Sequence, residues 1–346
     1  MSGSRPIHDN IQRKLDAFGD LMPVSLHALW GQSTDSFIQN RMVRDGAIEP
    51  PSYWHSPSTQ SHVGFWIFNP SKLPTPSSFV EETALFTLLD DVTAELATRL
   101  ILIASKFDRP QGFTVNLNIA RTGPWPSARR FYFEASAVSI SERKITVECP
   151  LFDADTGAQL MVARAIFVFM SSSDSGKLVQ APSSPSAASS LHVPLIDAPG
   201  ACELSNADLY ELSQVMSILP HGTIHHSKGF TSMSPRRLVV LLEFGPCLNG
   251  PPVFVHGGIL GTVLDNASAL LLGKVAGKAS SATAAVTRDI NYRRGVPMEC
   301  KDCAIDARVE SAGTNTVVIF AKLMRGEQVH TTLKTTFTLS GPASKL

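Results

Sequence analysis

The same order of predicted elements occurs twice along this chain of 346 residues. In each half a strand leads into a long apolar helix, and a run of strands follows the helix. The two helices align on a carboxylate each, with Leu88-Leu89-Asp90-Asp91 opposite Val263-Leu264-Asp265-Asn266, at a period of about 175 residues. Such a repeat predicts an α+β fold in which two similar antiparallel sheets each wrap around a long central helix.

Changes in composition set the predicted domain boundaries. The first domain is predicted over residues 61–171 and the second over 205–340, because these ranges hold the strand and helix patterns. Residues 172–204 are rich in Ser, Pro and Ala, which is typical of a linker. Residues 1–60 are predicted to form an N-terminal arm over the first domain, and residues 341–346 a loose tail.

Apolar periodicity and turn residues locate the individual elements. Helices are predicted over 11–18, 80–103 and 206–216, and after the glycines at 257 and 258. Strands are predicted over 63–68, 112–121, 130–140, 144–152, 159–170, 238–244, 283–292, 302–311, 316–325 and 329–339. The segment that carries His221, His225 and His226 is predicted to be a solvated loop.

The composition argues against several classes of partner and site. The chain has 30 basic and 30 acidic residues, so no basic excess exists to attract nucleic acid or an anionic membrane. No window is expected to reach the length and purity of a transmembrane helix. Five scattered cysteines favour a reducing compartment. Cys300-Lys-Asp-Cys303 has the spacing of metal ligands, but no second pair follows it, and we expect no metal site.

The stretch His256-Gly257-Gly258 precedes the second apolar helix and carries the strongest chemical signal. Two glycines allow the backbone to approach another group closely, and they leave the first helical N–H groups uncovered by side chains. Those N–H groups and the positive end of the helix dipole favour a negative charge. Asp265 lies eight residues after Gly257, inside a helix too apolar for the surface. An oxyanion site followed by a buried carboxylate is the arrangement that acyl transfer requires.

The pattern Gly-Pro-Pro-x-Phe-Val-His-Gly-Gly, followed by Leu-Asp-Asn and by Asp289-Ile-Asn-Tyr292-Arg-Arg-Gly-Val-Pro297, resembles hotdog-fold acyl-CoA thioesterases. The similarity is to their phenylacetate-pathway-like and thioesterase-superfamily-member groups, and it covers roughly Phe244 to Leu339. It implies a double hotdog, in which one chain mimics the dimer that single-domain members form. It also implies hydrolysis of an acyl-CoA thioester without a metal or redox cofactor. Association into a homo-oligomer stays open.

In this family the oxyanion glycine comes from one unit and the carboxylate from the other. The resemblance therefore pairs Gly257 with Asp90 and Thr114 of the first half. The Gly257 N–H, with the Asn249 amide, would polarise the thioester carbonyl, and Thr114 would orient water. Asp90 would either activate that water or attack the thioester to form an anhydride, and the sequence leaves both open.

The other combination of half-sites, Asp265 with the helix region of Glu81 and Glu82, is predicted to be vestigial. Where the second half has His-Gly-Gly, the first half has Glu81-Glu82-Thr83, whose charges would repel an oxyanion. Where the first half has Thr114, the second half has Ala285, which cannot form a hydrogen bond through its side chain.

A rival site stays open around Asp265, assisted by Thr283 or Thr287 on the next strand. His256 is expected to fix the conformation of the turn His256-Gly257-Gly258, called the glycine turn below, rather than to act as a base. Gly258, Arg293 and Arg294 are predicted to bind substrate, the two arginines through the coenzyme A phosphates.

Two other functions stay open beside thioester hydrolysis. One keeps the fold and changes the reaction to that of a dehydratase, isomerase or cyclase of specialised metabolism. The other is a non-catalytic double hotdog that binds acyl-CoA.

The chain finishes Ser344-Lys345-Leu346, a peroxisomal import tripeptide. We expect the import receptor as a partner and the peroxisome as the location.

Overall fold

The computed structural model describes residues 7–24, 43, 46, 48–69, 78–104, 111–123, 130–170, 201–214, 224–234, 236–245, 254–276 and 283–339. These ranges do not include Asn249, the Ser344-Lys345-Leu346 tail or most of the predicted linker. The peroxisomal location and the role of Asn249 therefore stay predictions.

The first half contains one strand, the long helix and four further strands. These are β3 (Ser61–Ile67), α2 (Ser78–Ala104), β4 (Gln111–Arg121), β5 (Arg130–Ile140), β6 (Lys144–Asp153) and β7 (Gln159–Met170). Helix α2 forms because Leu85, Leu88, Val92 and Leu96 recur every three or four residues, and all four are buried.

The second half repeats this arrangement. Its elements are β10 (Arg236–Phe244), α4 (Gly257–Ala276), β11 (Thr283–Tyr292), β12 (Cys303–Ala312), β13 (Thr316–Arg325) and β14 (Gln328–Leu339). Every residue of α4 from Gly258 to Leu272 is buried, which confirms that it is a core helix rather than a surface one. The predicted bounds of these helices and strands agree with the structure to within two residues.

The two halves have the same sheet order. The strands β3-β5-β6-β7-β4 of the first half correspond to β10-β12-β13-β14-β11 of the second, and all pairings are antiparallel. Strands β4 and β11 pair with each other, so that Leu117 lies opposite Ile290 at the junction. The halves therefore share one continuous 14-stranded sheet. This confirms the α+β class and shows the same topology on both sides of the junction.

A β-bulge occupies the same place in each half. The register of β4 shifts between Thr114 and Asn116, and that of β11 shifts between Ala285 and Thr287. The first residues of the two bulges, Thr114 and Ala285, are the pair that the sequence alignment placed opposite each other. The bulges give that alignment a structural basis.

Helices α2 and α4 pack directly against each other at equivalent positions. The Thr87 and Thr262 hydroxyls, 175 residues apart, lie 3.2 Å from each other. A Cβ added at Gly261 would clash with the Phe86 ring, so a glycine is required for this close approach. The contact brings the middle of α2 to the N-terminal turns of α4.

The N-terminal arm covers part of the first half and also adds strands to the sheet. Helix α1 (Asp9–Ala17) buries Ile11 against Val63 and Tyr132, as expected for a segment that lies over the first domain. The strands β1 (Met22–Pro23) and β2 (Ser52–Ser56) were not predicted from the sequence. Strand β2 pairs with β3 and thereby extends the sheet at its edge.

The segment before β10 is also more ordered than the sequence predicted. Helix α3 (Asn206–Gln214) lies within the range predicted for a helix, but the strands β8 (Cys202–Glu203) and β9 (Ile224–Met233) were not predicted. The prediction of a loop was wrong for His225 and His226, since both lie in β9, although the His225 side chain is exposed to solvent as predicted. Burial, followed by repulsion from His225, lowers the pKa of His226 to about 4. His221 lies outside the described residues.

Helix α4 meets the length and apolarity of a membrane span, contrary to the expectation that no window would. Within the described residues it is the one helix that does so. However, 83% of its apolar window is buried inside the protein, as in the core helix of a globular fold.

We predict that Gly261→Val destabilises the protein by about 1–3 kcal/mol, because the new side chain overlaps the Phe86 ring. The free energy of unfolding from denaturant titration measures this. The control is Ala276→Val at the half-buried last residue of α4, which should change stability by less than about 0.5 kcal/mol. Equal effects of the two substitutions would contradict the close approach of the helices.

Candidate active site

The glycine turn is held between the two halves of the chain. Val255 N donates to Val296 O at 2.8 Å, and Phe254 forms a bridge with Pro297, so the segment before α4 is tied to the segment after β11. A Cβ at Gly258 would lie 2.8 Å from the Cα of Thr87. The residue at this position must therefore be glycine for α4 to start so close to α2.

His256 precedes α4, and its ring contacts groups from both halves. In the neutral ring Nδ1 accepts a hydrogen bond from Gly258 N–H at 3.1 Å. Its Nε2 lies 2.8 Å from Asp91 Oδ1 in an ion pair that is almost fully buried. This geometry is consistent with the expected role of His256 in fixing the turn. Sequence reasoning had not assigned Asp91 to the site, although it follows Asp90 directly.

The structure brings Asp90, Thr114 and Gly257 together. Thr114 Oγ1 donates to Asp90 Oδ1 at 3.1 Å, and Asp90 Oδ2 would lie 2.9 Å from a Cβ added at Gly257. Asp90 Oδ2 is also 3.6 Å from His256 Nδ1. The side chain of Asp90 is buried, with only 1% of the residue exposed. These are the residues that the family resemblance paired across the two halves.

The charged groups in this site shift one another's pKa values. Burial raises the pKa of Asp90, and the nearby Asp91 adds to the rise, although His256, Thr114 and the Gly258 amide oppose it. Burial alone would lower the pKa of His256, but the Asp91 and Asp90 carboxylates outweigh it and raise the pKa to about 9. A protonated His256 ring thus balances part of the negative charge of two adjacent carboxylates.

Tyr292 closes the site from the β11 side. Its hydroxyl donates to Gly257 O at 3.0 Å, which orients the first peptide of α4. Burial and then Asp90 raise the pKa of Tyr292 well above its usual value, so it stays a neutral donor. Arg293 and Arg294 follow directly and are exposed, and their role in substrate binding stays a prediction.

Asp265 has a different environment from Asp90. Arg288 Nε donates to Asp265 Oδ2 at 2.9 Å, and Thr335 Oγ1 donates to Oδ1 at 3.3 Å. Both members of this ion pair are at least 98% buried. Sequence reasoning did not anticipate Arg288 or Thr335 as partners of Asp265. It proposed Thr283 or Thr287 instead, and the side chain of Thr283 lies outside the described part of the chain.

The first half has no helix start that corresponds to the glycine turn. Helix α2 begins at Ser78, so the backbone at Glu81, Glu82 and Thr83 is already inside the helix. Amide groups inside a helix are engaged with carbonyl groups four residues earlier and cannot bind an oxyanion. The vestigial state of the combination with Asp265 stays a prediction.

No group of three or more potential metal-ligating side chains occurs among the described residues. Cys300 and Cys303 do lie together, with 3.3 Å between their sulfur atoms, but they are not part of such a group.

Part of the second half is similar to a known protein family. Residues 254–331 match the family model of the Thioesterase superfamily. This confirms the resemblance to thioesterases that the sequence predicted for the glycine turn and the strands after it. The matched range includes His256, Gly257 and Asp265 but not Asp90 or Thr114.

One curated relative and two solved structures extend the comparison. The acyl-coenzyme A thioesterase THEM4 of Xenopus laevis is 33% identical over 81 residues, which are 23% of this chain. The aligned part spans 34% of the length of that relative.

A tesB protein of Mycobacterium avium subs paratuberculosis is 12% identical with a TM-score of 0.49, covering 87% of this chain and 99% of that chain. An acyl-CoA thioesterase II TesB2 of Mycobacterium marinum is 11% identical with a TM-score of 0.47, covering 87% and 98%.

We predict that Arg288→Met destabilises the protein by about 3–5 kcal/mol, because it leaves the buried Asp265 carboxylate without its counter-charge. The double variant Asp265→Leu/Arg288→Met should recover most of this loss in denaturant titration. The control is Arg237→Met, which should cost less because Lys322 also pairs with Asp306. A loss at Arg288 no larger than at Arg237 would contradict the prediction.

We predict a pH dependence of stability from His256. Its folded pKa is raised to about 9 from 6.5, so its contribution is fully present below pH 6.5 and is lost as the pH rises through about 9. Asp91→Asn should flatten this fall by at most about 1.4 kcal/mol per pH unit. Denaturant titrations at several pH values measure it, and parallel curves for wild type and variant would refute the assignment.

Proposed function

We propose that this chain is an acyl-CoA thioesterase built as a double hotdog, with one working site between its halves. The observation that carries the proposal is the meeting of Gly257 from the second half with Asp90 and Thr114 from the first. The identical sheet order of the two halves, joined through β4 and β11, supports the double-hotdog arrangement. The family match of residues 254–331 and the THEM4 likeness support thioester hydrolysis.

The N-terminus of α4 is the proposed oxyanion site. Ile259 N and Leu260 N already donate to His256 O, whereas Gly257 N–H has no acceptor among the described residues. Directed at the thioester oxygen and assisted by the helix dipole, this N–H would stabilise the negative charge of the tetrahedral intermediate. One such donor contributes about 3 kcal/mol to transition-state stabilisation.

Asp90 is the proposed catalytic carboxylate. As a general base it takes a proton from water, the hydroxide adds to the thioester carbon, and the thiolate leaves and regains the proton. As a nucleophile it forms an anhydride that water then hydrolyses, and both routes remain part of the proposal. Its raised pKa makes it a stronger base than an exposed carboxylate. Thr114, which bonds the other carboxylate oxygen, would hold the water or Asp90 itself in place.

The charge state of His256 determines whether a second N–H group, that of Gly258, is free of the histidine ring. When the ring is neutral, Nδ1 occupies the Gly258 N–H. When the ring is protonated, Nδ1 carries a hydrogen and can face Asp90 Oδ2, 3.6 Å away, which releases the Gly258 N–H. The proposed substrate-binding role of Gly258 therefore depends on the protonated ring, which Asp91 stabilises.

Asp265 is proposed to be structural. Its carboxylate is already neutralised by Arg288, and it would have to leave a buried ion pair to act as a base. At the position of the water-orienting hydroxyl the second half has Ala285, on the equivalent bulge. The second half-site would thus lack both a free base and a hydroxyl group.

We predict that Asp90→Asn lowers the rate of thiol release from acyl-CoA by about 10²–10⁴-fold, because the amide cannot accept the proton. Gly257→Ala should lower it by about 10²–10³-fold, because the new Cβ displaces Asp90 and the thioester oxygen from the oxyanion donor. Free thiol is measured over short, long and aromatic acyl-CoAs, and circular dichroism checks folding.

The control is Asp265→Asn, which should retain most of the turnover. Loss of turnover in folded Asp265→Asn, with activity kept in Asp90→Asn, would move the chemistry to Asp265. Absence of thiol release from every acyl-CoA would refute hydrolysis and leave a hotdog dehydratase, isomerase, cyclase or acyl-CoA-binding protein.

A further inference from the structure

Cys300 and Cys303 form a buried dithiol outside the proposed active site. The Cys303 thiol donates to Cys300 Sγ at 3.3 Å, and the Cys300 thiol donates to Asp302 Oδ1 at 3.0 Å. Both cysteines are almost fully buried, at 5% and 1% exposure. The carboxylate of Asp302 is 43% exposed, so the dithiol lies just below the surface.

The backbone around the dithiol is held in a definite shape. Glu299, directly before Cys300, has φ of 58°, a left-handed conformation that is uncommon for a residue with a side chain. Arg325 Nε donates to both oxygens of Asp302, at 2.8 and 3.0 Å, and thereby anchors the carboxylate. The two sulfur atoms would need to approach by only about 1.3 Å to reach bonding distance.

The two thiols differ in character. Donation from Cys303 lowers the pKa of Cys300 despite its burial and the nearby Asp302. The same hydrogen bond, together with burial, raises the pKa of Cys303. Cys300 is therefore suited to be the attacking thiolate and Cys303 the second thiol.

We propose that Cys300 and Cys303 are a modification site, at which hydrogen peroxide oxidises the two thiols to an intramolecular disulfide. In the first step the Cys300 thiolate attacks one peroxide oxygen, an S–O bond forms and the O–O bond breaks. The departing hydroxide takes up the proton that Cys300 released and becomes water.

In the second step the Cys303 sulfur attacks the sulfenic acid sulfur of Cys300. An S–S bond forms, the S–O bond breaks, and hydroxide leaves with the Cys303 proton as a second water. In total the two thiols lose two electrons and two protons, and the peroxide is reduced to two water molecules.

The position of this site connects it to the glycine turn. Cys300 O accepts from Phe244 N at 2.8 Å, and three residues earlier Pro297 bridges Phe254 in the segment that leads into α4. A shift of Cys300 towards Cys303 would pull on the segment that supports this turn. A misplacement of reacting groups by about 1 Å can cost about 10²-fold in rate. Oxidation should therefore slow thioester hydrolysis by about tenfold or more, an effect that rests on the proposed function.

The test exposes the full-length reduced protein to graded hydrogen peroxide. Peptide mapping by mass spectrometry then follows the fragment that contains both Cys300 and Cys303. We expect this fragment to lose two hydrogen atoms, to resist alkylation, and to recover both thiols on reduction. In Cys303→Ser a sulfenic acid should instead accumulate at Cys300, where a dimedone probe traps it.

Two other cysteines provide the comparison. Cys149 is buried and its pKa is raised, so it should stay reduced, while Cys202 is exposed and reports that the oxidant was active. The proposal is overturned if Cys202 is oxidised while Cys300 and Cys303 both remain alkylatable.

Activity is followed in the same samples. Hydrolysis that falls with disulfide formation in wild type, and not in Cys303→Ser, supports the link to the glycine turn. Unchanged hydrolysis in the fully disulfide-bonded protein overturns that link. A reduced protein with no hydrolysis would refute the proposed function, whereas the peptide masses would still decide the modification.

Discussion

The close packing of α2 against α4 is the contact on which the rest of the molecule depends. It places the Thr87 and Thr262 hydroxyls 3.2 Å apart and leaves no space for side chains at Gly258 and Gly261. Because α4 starts at this contact, its first residue, Gly257, lies next to a residue of the other half, Asp90. The shared sheet and the common apolar core hold the two helices in this relation.

Asp90 and Asp265 occupy equivalent positions in the two halves but have different surroundings. Asp90 has the His256 ring, the Thr114 hydroxyl and the Gly258 amide as favourable neighbours, and burial outweighs them and leaves its pKa raised. Asp265 has a guanidinium within hydrogen-bond distance, which holds it in an ion pair. A buried carboxylate without a fixed counter-ion is costly to the fold, and this is the cost that proton chemistry requires. Single positions on neighbouring strands produce this difference between the two environments. Thr114 on β4 lies beside Asp90, and Arg288 on β11 lies beside Asp265.

The sequence predicted the repeated elements well because their patterns are local. Apolar spacing locates α2 and α4, and alternation with turn residues locates most strands. It also placed Thr114 opposite Ala285, in agreement with the equivalent bulges. It missed the partner Arg288, which is 23 positions from Asp265, and did not assign Asp91 to the site, because such contacts depend on how helices face strands. Strand β9 was missed because its histidines and glycine give no clear alternation.

The pairing of β4 with β11 joins both copies of the repeat within one polypeptide. In a symmetric dimer of identical subunits, each substitution appears at both sites and must be tolerated at both. Here a substitution alters one copy alone, so Asp265 could acquire Arg288 while Asp90 did not acquire a cation at the same place. The copies also cannot separate on dilution, since their effective concentration is set by the chain itself. A single polypeptide therefore allows the two copies to diverge, so that one carboxylate has a buried guanidinium partner and its equivalent has none within the described residues.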